Sequence, residues 1–265
     1  MIYYVSMPSQ VLHSLFGEDL FAEIFRRVSL TPDLRARYSI ENIIDTYKSV
    51  FVLGCQGPDI FYHSRGRRPV GLEYGSLLHR RGMGAFTASL LEMSFAARKP
   101  EEWINALGAY ALGFMTHAAL DMYIHPYVVY KTVSLSPSKS EPLRLDHAHA
   151  FFERILDALM LKHLRDMDIS AWDQKGLLAE SCESPPPGLK ELLIQALINA
   201  FPERAGKDGK LILRVDNTFA DCAFFYSLTA PSRTRNADTR RFPLKKRHLF
   251  FSPPIYFMPR GTKCC

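Results

Sequence analysis

His117, Asp121 and His125 recur at four-residue intervals in the stretch GFMTHAALDMYIHPYVVY, residues 113–130. Four residues is a little over one helical turn, so on a helix these side chains form a drifting row along one face. Setting a carboxylate and two imidazoles among Leu, Phe, Met and Tyr is costly unless something pairs with them. A second stretch, HAFFE, repeats the interval with His149 and Glu153, and Asp59 lies on a Gly-Pro-Asp turn. His79 and His13 complete the candidate set. Every member offers oxygen or nitrogen and none offers a thiol, which suits zinc or a similar first-row ion. Each also has a plainer explanation. A His-x-x-x-Asp or His-x-x-x-Glu pair can be a surface or capping pair, Asp59 an ordinary turn residue, and His13 an amphipathic-helix histidine.

The elements that must position these residues are helical, since periods near 3.6 dominate and strand-like alternation is scarce. GEDLFAEIFRRV carries acids early and arginines late, as a helix dipole prefers. SIENIIDTYKSVFVLG predicts a helix with Ser39 as N-cap and Gly54 as stop. Residues 72–98 predict another helix, and Pro100, Glu101 and Glu102 open the one that carries the His117 row. Its small residues Gly108, Ala109, Ala111 and Gly113 let a neighbour approach closely, and Pro126 sets His125 on the last turn. DHAHAFFERILDALMLKHL is strongly amphipathic. After the connector ESPPPG, helices are expected at about 189–200 and 209–228. The expected fold is all-α, a single multi-helix domain over residues 1–265, with 230–265 an irregular basic-aromatic segment.

With 265 residues and 47% hydrophobic content the chain can fill a sizeable core. A net charge of +6 suits an anionic substrate or a membrane surface. Five cysteines without CxxC pairing argue against a disulfide framework or a thiolate zinc cluster, and for a reducing compartment. The N-terminus shows no signal-peptide pattern, and His117 and Asp121 interrupt the best apolar run before it reaches the roughly 18 residues of a membrane span. The expected location is therefore cytoplasmic, with no transmembrane segment.

MPSQVLHSLFGEDLF, LGCQGPDIFYH, LLHRRGMGAF, GFMTHAALDMYIHPYVVY and HAFFERILDALMLK follow one another in an order that resembles the zinc-dependent phospholipase C family, over about residues 7–165. The resemblance implies an all-α fold with clustered zinc ions. It implies Asp59, His79, His117 and Asp121 as ligands of a first zinc, and His125, His149 and Glu153 as ligands of a second. His13 and a bridging Asp121 fall to a third. In secreted members a tryptophan exposed by leader removal completes that third site; here only Met1 or Met7 stands near it, so two zinc ions are expected and the third position is incomplete. Asp146 is a candidate to orient His149 or cap its helix, while His63 and His163 are expected to be structural or solvent-facing.

The chemistry implied is phosphodiester hydrolysis by metal-activated water, with Asp59 placed to steer or deprotonate that water. A phospholipid substrate would release diacylglycerol, with transient membrane-surface contact. Arg65, Arg67, Arg68, Arg80 and Arg81 could hold phosphate or form a solvated basic face. Two rivals stand beside this. Single-strand nucleases share the fold, and the tail TRRFPLKKRHLFFSPPIYF could stack nucleic-acid bases. A metal-stabilised binding protein without turnover is the other. An HD-type phosphohydrolase needs a contiguous His-Asp pair, whereas this chain has Asp146-His147 in reverse order.

Overall fold

Helix formation starts where a buried carboxylate collects orphan amides. The Asp157 side chain accepts from Ser9 Oγ (2.5 Å), Gln10 N (3.0 Å) and Leu12 N (2.8 Å), so it caps the helix Val11–Val28 (α1) from far along the chain. That cap fixes the first turn of α1, and His13 sits on it. The structure, a computed structural model, describes residues 9–28, 40–95, 105–135 and 142–230. Ser39, Pro100–Glu102, Met1, Met7 and the 231–265 segment therefore lie outside the described residues, as do the side chains of Asp146 and His147.

Among the described residues every regular element is helical and no strand occurs. The all-α expectation is met. After α1 come Ile40–Thr46 (α2) and Lys48–Cys55 (α3), then a 3-10 helix, Gly57–His63. Leu72–Leu77 (α4) runs through a π-helical turn, Leu78–Gly82, into Met83–Phe95 (α5). The long helices Ala106–Leu135 (α6) and Pro142–Arg165 (α7) follow. Glu180–Glu183 (α8), Leu189–Ala200 (α9) and Leu211–Thr229 (α10) close the described chain.

The tightest helix pair is α3 against α6, and the cause is small residues. A Cβ on Gly54 would stand 2.3 Å from the Tyr110 carbonyl oxygen, and one on Gly113 2.2 Å from that of Phe51. Backbones meet there with no side chain between them. Around this crossing Phe51, Leu53, Tyr74, Leu78, Phe86, Tyr110, Phe114 and Tyr226 are fully buried. At roughly 1.5–3 kcal/mol for each large apolar side chain, this cluster dominates the stability of the helical frame.

Three expectations need correction. Gly54 does not stop its helix; it lies inside α3, and the chain turns instead at Gly57, whose φ of +54° suits glycine. Residues 72–95 do not form one regular helix, since the π turn interrupts them. His125 is not on a last turn, because α6 continues through Pro126 to Leu135. A proline in mid-helix frees the carbonyl four residues back, here that of Met122. Met122 is 66% exposed, so water can satisfy that carbonyl and the helix survives. The last two expected helices agree with α9 and α10 within about two residues.

Candidate metal centre

Gly57, Pro58 and Asp59 form the first turn of the 3-10 helix, directly after α3. The positive φ at Gly57 bends the chain so that the turn lies against α6; a Cβ there would stand 2.3 Å from His117 Cγ. His117 fills that contact fully buried, and its Nδ1–H donates to the Cys55 carbonyl at 3.0 Å. A carbonyl can only accept, so Nε2 is left with its lone pair and has no hydrogen-bond partner. His79, on the π turn, repeats the device: Nδ1–H donates to the Gly75 carbonyl at 2.8 Å and Nε2 lies 3.1 Å from Asp59 Oδ1. Holding one imidazole nitrogen with a carbonyl and presenting the other is how proteins orient metal-binding histidines.

The remaining members close around these two. His79 Nε2 is 4.0 Å from Asp121 Oδ2, and the His13 ring stacks on His117 with centroids 4.0 Å apart. One ligand atom each from His79, His117 and Asp121 can lie within 4.8 Å of one another, and so can one each from His13, Asp59 and His117. His13 therefore groups with Asp59 and His117, a different grouping from the one the resemblance implied. Burial is nearly complete for His13, Asp59 and His117, while Asp121 and His79 are half-buried.

A few ångströms of helix away lies an outer group. His149 Nε2 is 3.1 Å from Glu153 Oε1, and the His125 and His149 rings are 5.2 Å apart. His125 is exposed. Among the described residues, ligand atoms of three or more candidates lie within 4.8 Å of one another in the inner group alone, whereas in the outer group His149 meets Glu153 and the His125 ring lies near that of His149.

Their electrostatics separate the roles. Burial lowers the His117 imidazole to about 3, with the neighbouring His13 acting in the same direction, and burial lowers His13 to about 4. Both are neutral lone-pair donors at neutral pH. Burial pushes Asp59 upward, but the hydrogen bond from His79 and the imidazoles around it win and hold the carboxylate well below its usual range. Burial disfavours a charged His79, yet Asp59, the Gly75 carbonyl and Asp121 together raise it to about 9. Burial raises Glu153 against the pull of His149.

The arrangement fits a divalent ion. His13 Nδ1 and His117 Nε2 are buried polar atoms without protein partners, in a donor set of imidazole and carboxylate only. An open cleft of about 570 Å³ reaches this cluster, lined by His79, Met83, Ala118, Asp121, Met122, His125 and Pro126.

Sequence reasoning overlooked Asp157, Gly57's contact with His117, and Tyr62, which stacks on His79 at 5.1 Å. The five candidate arginines are all exposed, as a solvated basic face would have them; Arg67 also pairs with Asp221 at 2.8 Å and Arg65 donates to the Tyr62 carbonyl. As expected, His63 is buried against Phe225 and Tyr226 and His163 faces solvent.

A family model described as zinc-dependent phospholipase C matches residues 13–200. No curated protein and no solved structure matches the chain. The match begins at His13, spans every candidate ligand and ends with α9, past the 165 at which the resembling motifs stop. The chain belongs to the zinc-dependent phospholipase C family.

Proposed function

We propose that the protein is a zinc-dependent phosphodiester hydrolase of phospholipase C type, acting on a phospholipid or a closely related phosphodiester. The observation that carries this is the inner cluster itself: His117 Nε2 and His13 Nδ1 are buried without partners, both residues group with Asp59, and a cleft open to solvent reaches the neighbouring His79 and Asp121. His79, His117, Asp121, Asp59 and His13 would hold zinc on the inner side, and His125, His149 and Glu153 on the outer side. Zinc bound there supplies Lewis acidity toward phosphate oxygens and makes an attacking water acidic.

The chain's own groups do the rest. Asp59 stays anionic across the physiological range and is the group to orient the water. Once His79 gives up its Nε2 proton to become a ligand, the Gly75 carbonyl keeps the ring in place. Met83, Ala118, Ala119, Met122 and Pro126 line the cleft and favour an apolar leaving alcohol over bulk water. A reducing compartment belongs to the same proposal and is supported by the free thiols of Cys55, Cys182 and Cys222.

The test is hydrolysis of three substrates by purified protein with added zinc: phosphatidylcholine, a chromogenic phosphodiester and single-stranded DNA. Cleavage of the lipid, abolished by His117→Ala and by Glu153→Ala, is the expected result. Cleavage of DNA alone replaces this proposal with the nuclease, and binding of zinc with no cleavage replaces it with a metal-stabilised binding protein.

A further inference from the structure

Gln10 brings a polar side chain into the interior one turn before His13. It is fully buried, and neither its Nε2 nor its Oε1 has a hydrogen-bond partner; the buried His13 Nδ1 has none either. Buried amides are ordinarily paired, so these two side chains call for an explanation. Gln10 immediately precedes α1, the position whose side chain normally caps a helix. Asp157 has taken that task by accepting from the Gln10 and Leu12 amides, which releases the Gln10 side chain from capping. The Gln10 backbone is fixed all the same, because its carbonyl accepts from Ser14 Oγ at 2.9 Å and from Gln56 Nε2 at 3.2 Å.

The spacing i, i+3, i+7 sets Gln10, His13 and Gly17 on one face of α1. That face looks onto α3 and α6, since a Cβ on Gly17 would stand 2.8 Å from Cys55 Sγ and 3.0 Å from Thr116 Oγ1. Helical side chains lean toward the N-terminus, so the His13 ring covers the turn from which Gln10 projects. Elsewhere in the inner group the Cys55 and Gly75 carbonyls hold Nδ1–H of His117 and His79. His13 has no such carbonyl at its Nδ1.

We infer that Gln10 is the positioning residue for His13: its Oε1 accepts from His13 Nδ1–H and so turns the Nε2 lone pair toward an ion shared with Asp59 and His117. The bond forms by rotation about the Gln10 side-chain torsions, the backbone staying where Asp157 and Gln56 hold it. An amide oxygen can only accept, so the contact also fixes which ring nitrogen carries the proton. The inference rests on reading the inner group as a zinc site and does not depend on turnover.

The test uses zinc-loaded protein with ¹⁵N-labelled histidine, in the unmodified form and as Gln10→Met and Gln10→Glu. Methionine keeps the length without an acceptor, whereas glutamate keeps an acceptor and strengthens it. The exchange-protected Nδ1–H resonance of His13, assigned by its loss in His13→Ala, should be present in the unmodified protein. It should vanish in Gln10→Met and move downfield in Gln10→Glu, with those of His79 and His117 kept in both. By chelator competition, zinc affinity of the inner group should fall at least tenfold in Gln10→Met and be retained in Gln10→Glu. An amide with no task predicts the reverse: Gln10→Met would hold zinc normally and gain stability toward urea, because an unpaired buried group has been removed. That result overturns the inference, as does a missing His13 Nδ1–H resonance in the unmodified protein or one that does not shift in Gln10→Glu. The Gln10→Glu shift decides the matter alone if Gln10→Met does not fold. Uptake of less than one equivalent of zinc by the unmodified protein overturns the inference together with the metal site, whereas zinc bound without hydrolysis removes the hydrolase reading and leaves Gln10 in its role.

Discussion

His13, Asp59, His79, His117 and Asp121 come from four separate elements and converge in the interior, whereas His125, His149 and Glu153 project from two long helices with His125 exposed. The inner group is locked by the backbone: Cys55 and Gly75 carbonyls hold two imidazoles, Gly57 admits one of them, and Asp157 caps the helix bearing a third. The outer group has the His149–Glu153 contact at one-turn spacing on a single helix. Preorganisation of this kind lowers the entropy cost of ligation, so the two groups should differ in affinity as well as in position. The lesson is that residues of the same chemical type can be positioned in two ways, by backbone carbonyls from other elements or by a partner on the same helix.

The largest expected break of this contrast is His117→Ala, which removes the residue shared by both inner triads. It should lose the inner zinc and all hydrolysis, while His149→Ala loses one equivalent and leaves the inner zinc in place. His13→Ala should also lower inner occupancy, since its ring stacks on His117 and groups with Asp59. Metal content of the three variants, measured side by side, checks the order; equal losses from all three would erase the distinction.

Gly57→Ala should come next. An alanine at positive φ costs about 1–2 kcal/mol, and its Cβ would collide with the His117 ring. Inner occupancy should fall several-fold with the outer group unaffected, read by the same metal analysis. Wild-type occupancy in this variant would mean that the Gly57 contact does not position His117.

Much of the frame could be read from the chain alone because it is local. Periodicity located α9 and α10, and the i, i+4 spacings exposed His117, Asp121, His149 and Glu153. The failures have physical causes. Pro126 reads as a helix end, yet solvent at Met122 compensates the broken hydrogen bond. Gly54 reads as a stop, yet its use is the close approach of Tyr110. Asp157 and Asp221 meet partners about 150 residues away, and no short-range pattern announces such a pairing. That His79 sits on a π turn was equally hidden, although such turns gather at functional sites.

A smaller effect concerns His63, which lies outside both groups. Burial lowers its imidazole from 6.5 to about 4, so below 6.5 the unfolded chain takes up a proton that the folded chain refuses. Its contribution to stability is therefore whole above pH 6.5 and declines as pH falls toward 4, by about 3 kcal/mol at most. Urea midpoints at pH 7 and pH 5 should differ less in His63→Phe than in the unmodified protein. An unchanged difference would assign acid sensitivity to other groups.

The sharpest single measurement is a stepwise chelator titration of the zinc-loaded protein, with bound metal and phospholipid hydrolysis followed together. Two equivalents at the start are expected, the outer one leaving at lower chelator concentration and the inner one only later, with activity falling as metal is lost. Less than one equivalent of any transition metal at the start, or full hydrolysis after all metal has gone, would contradict the account.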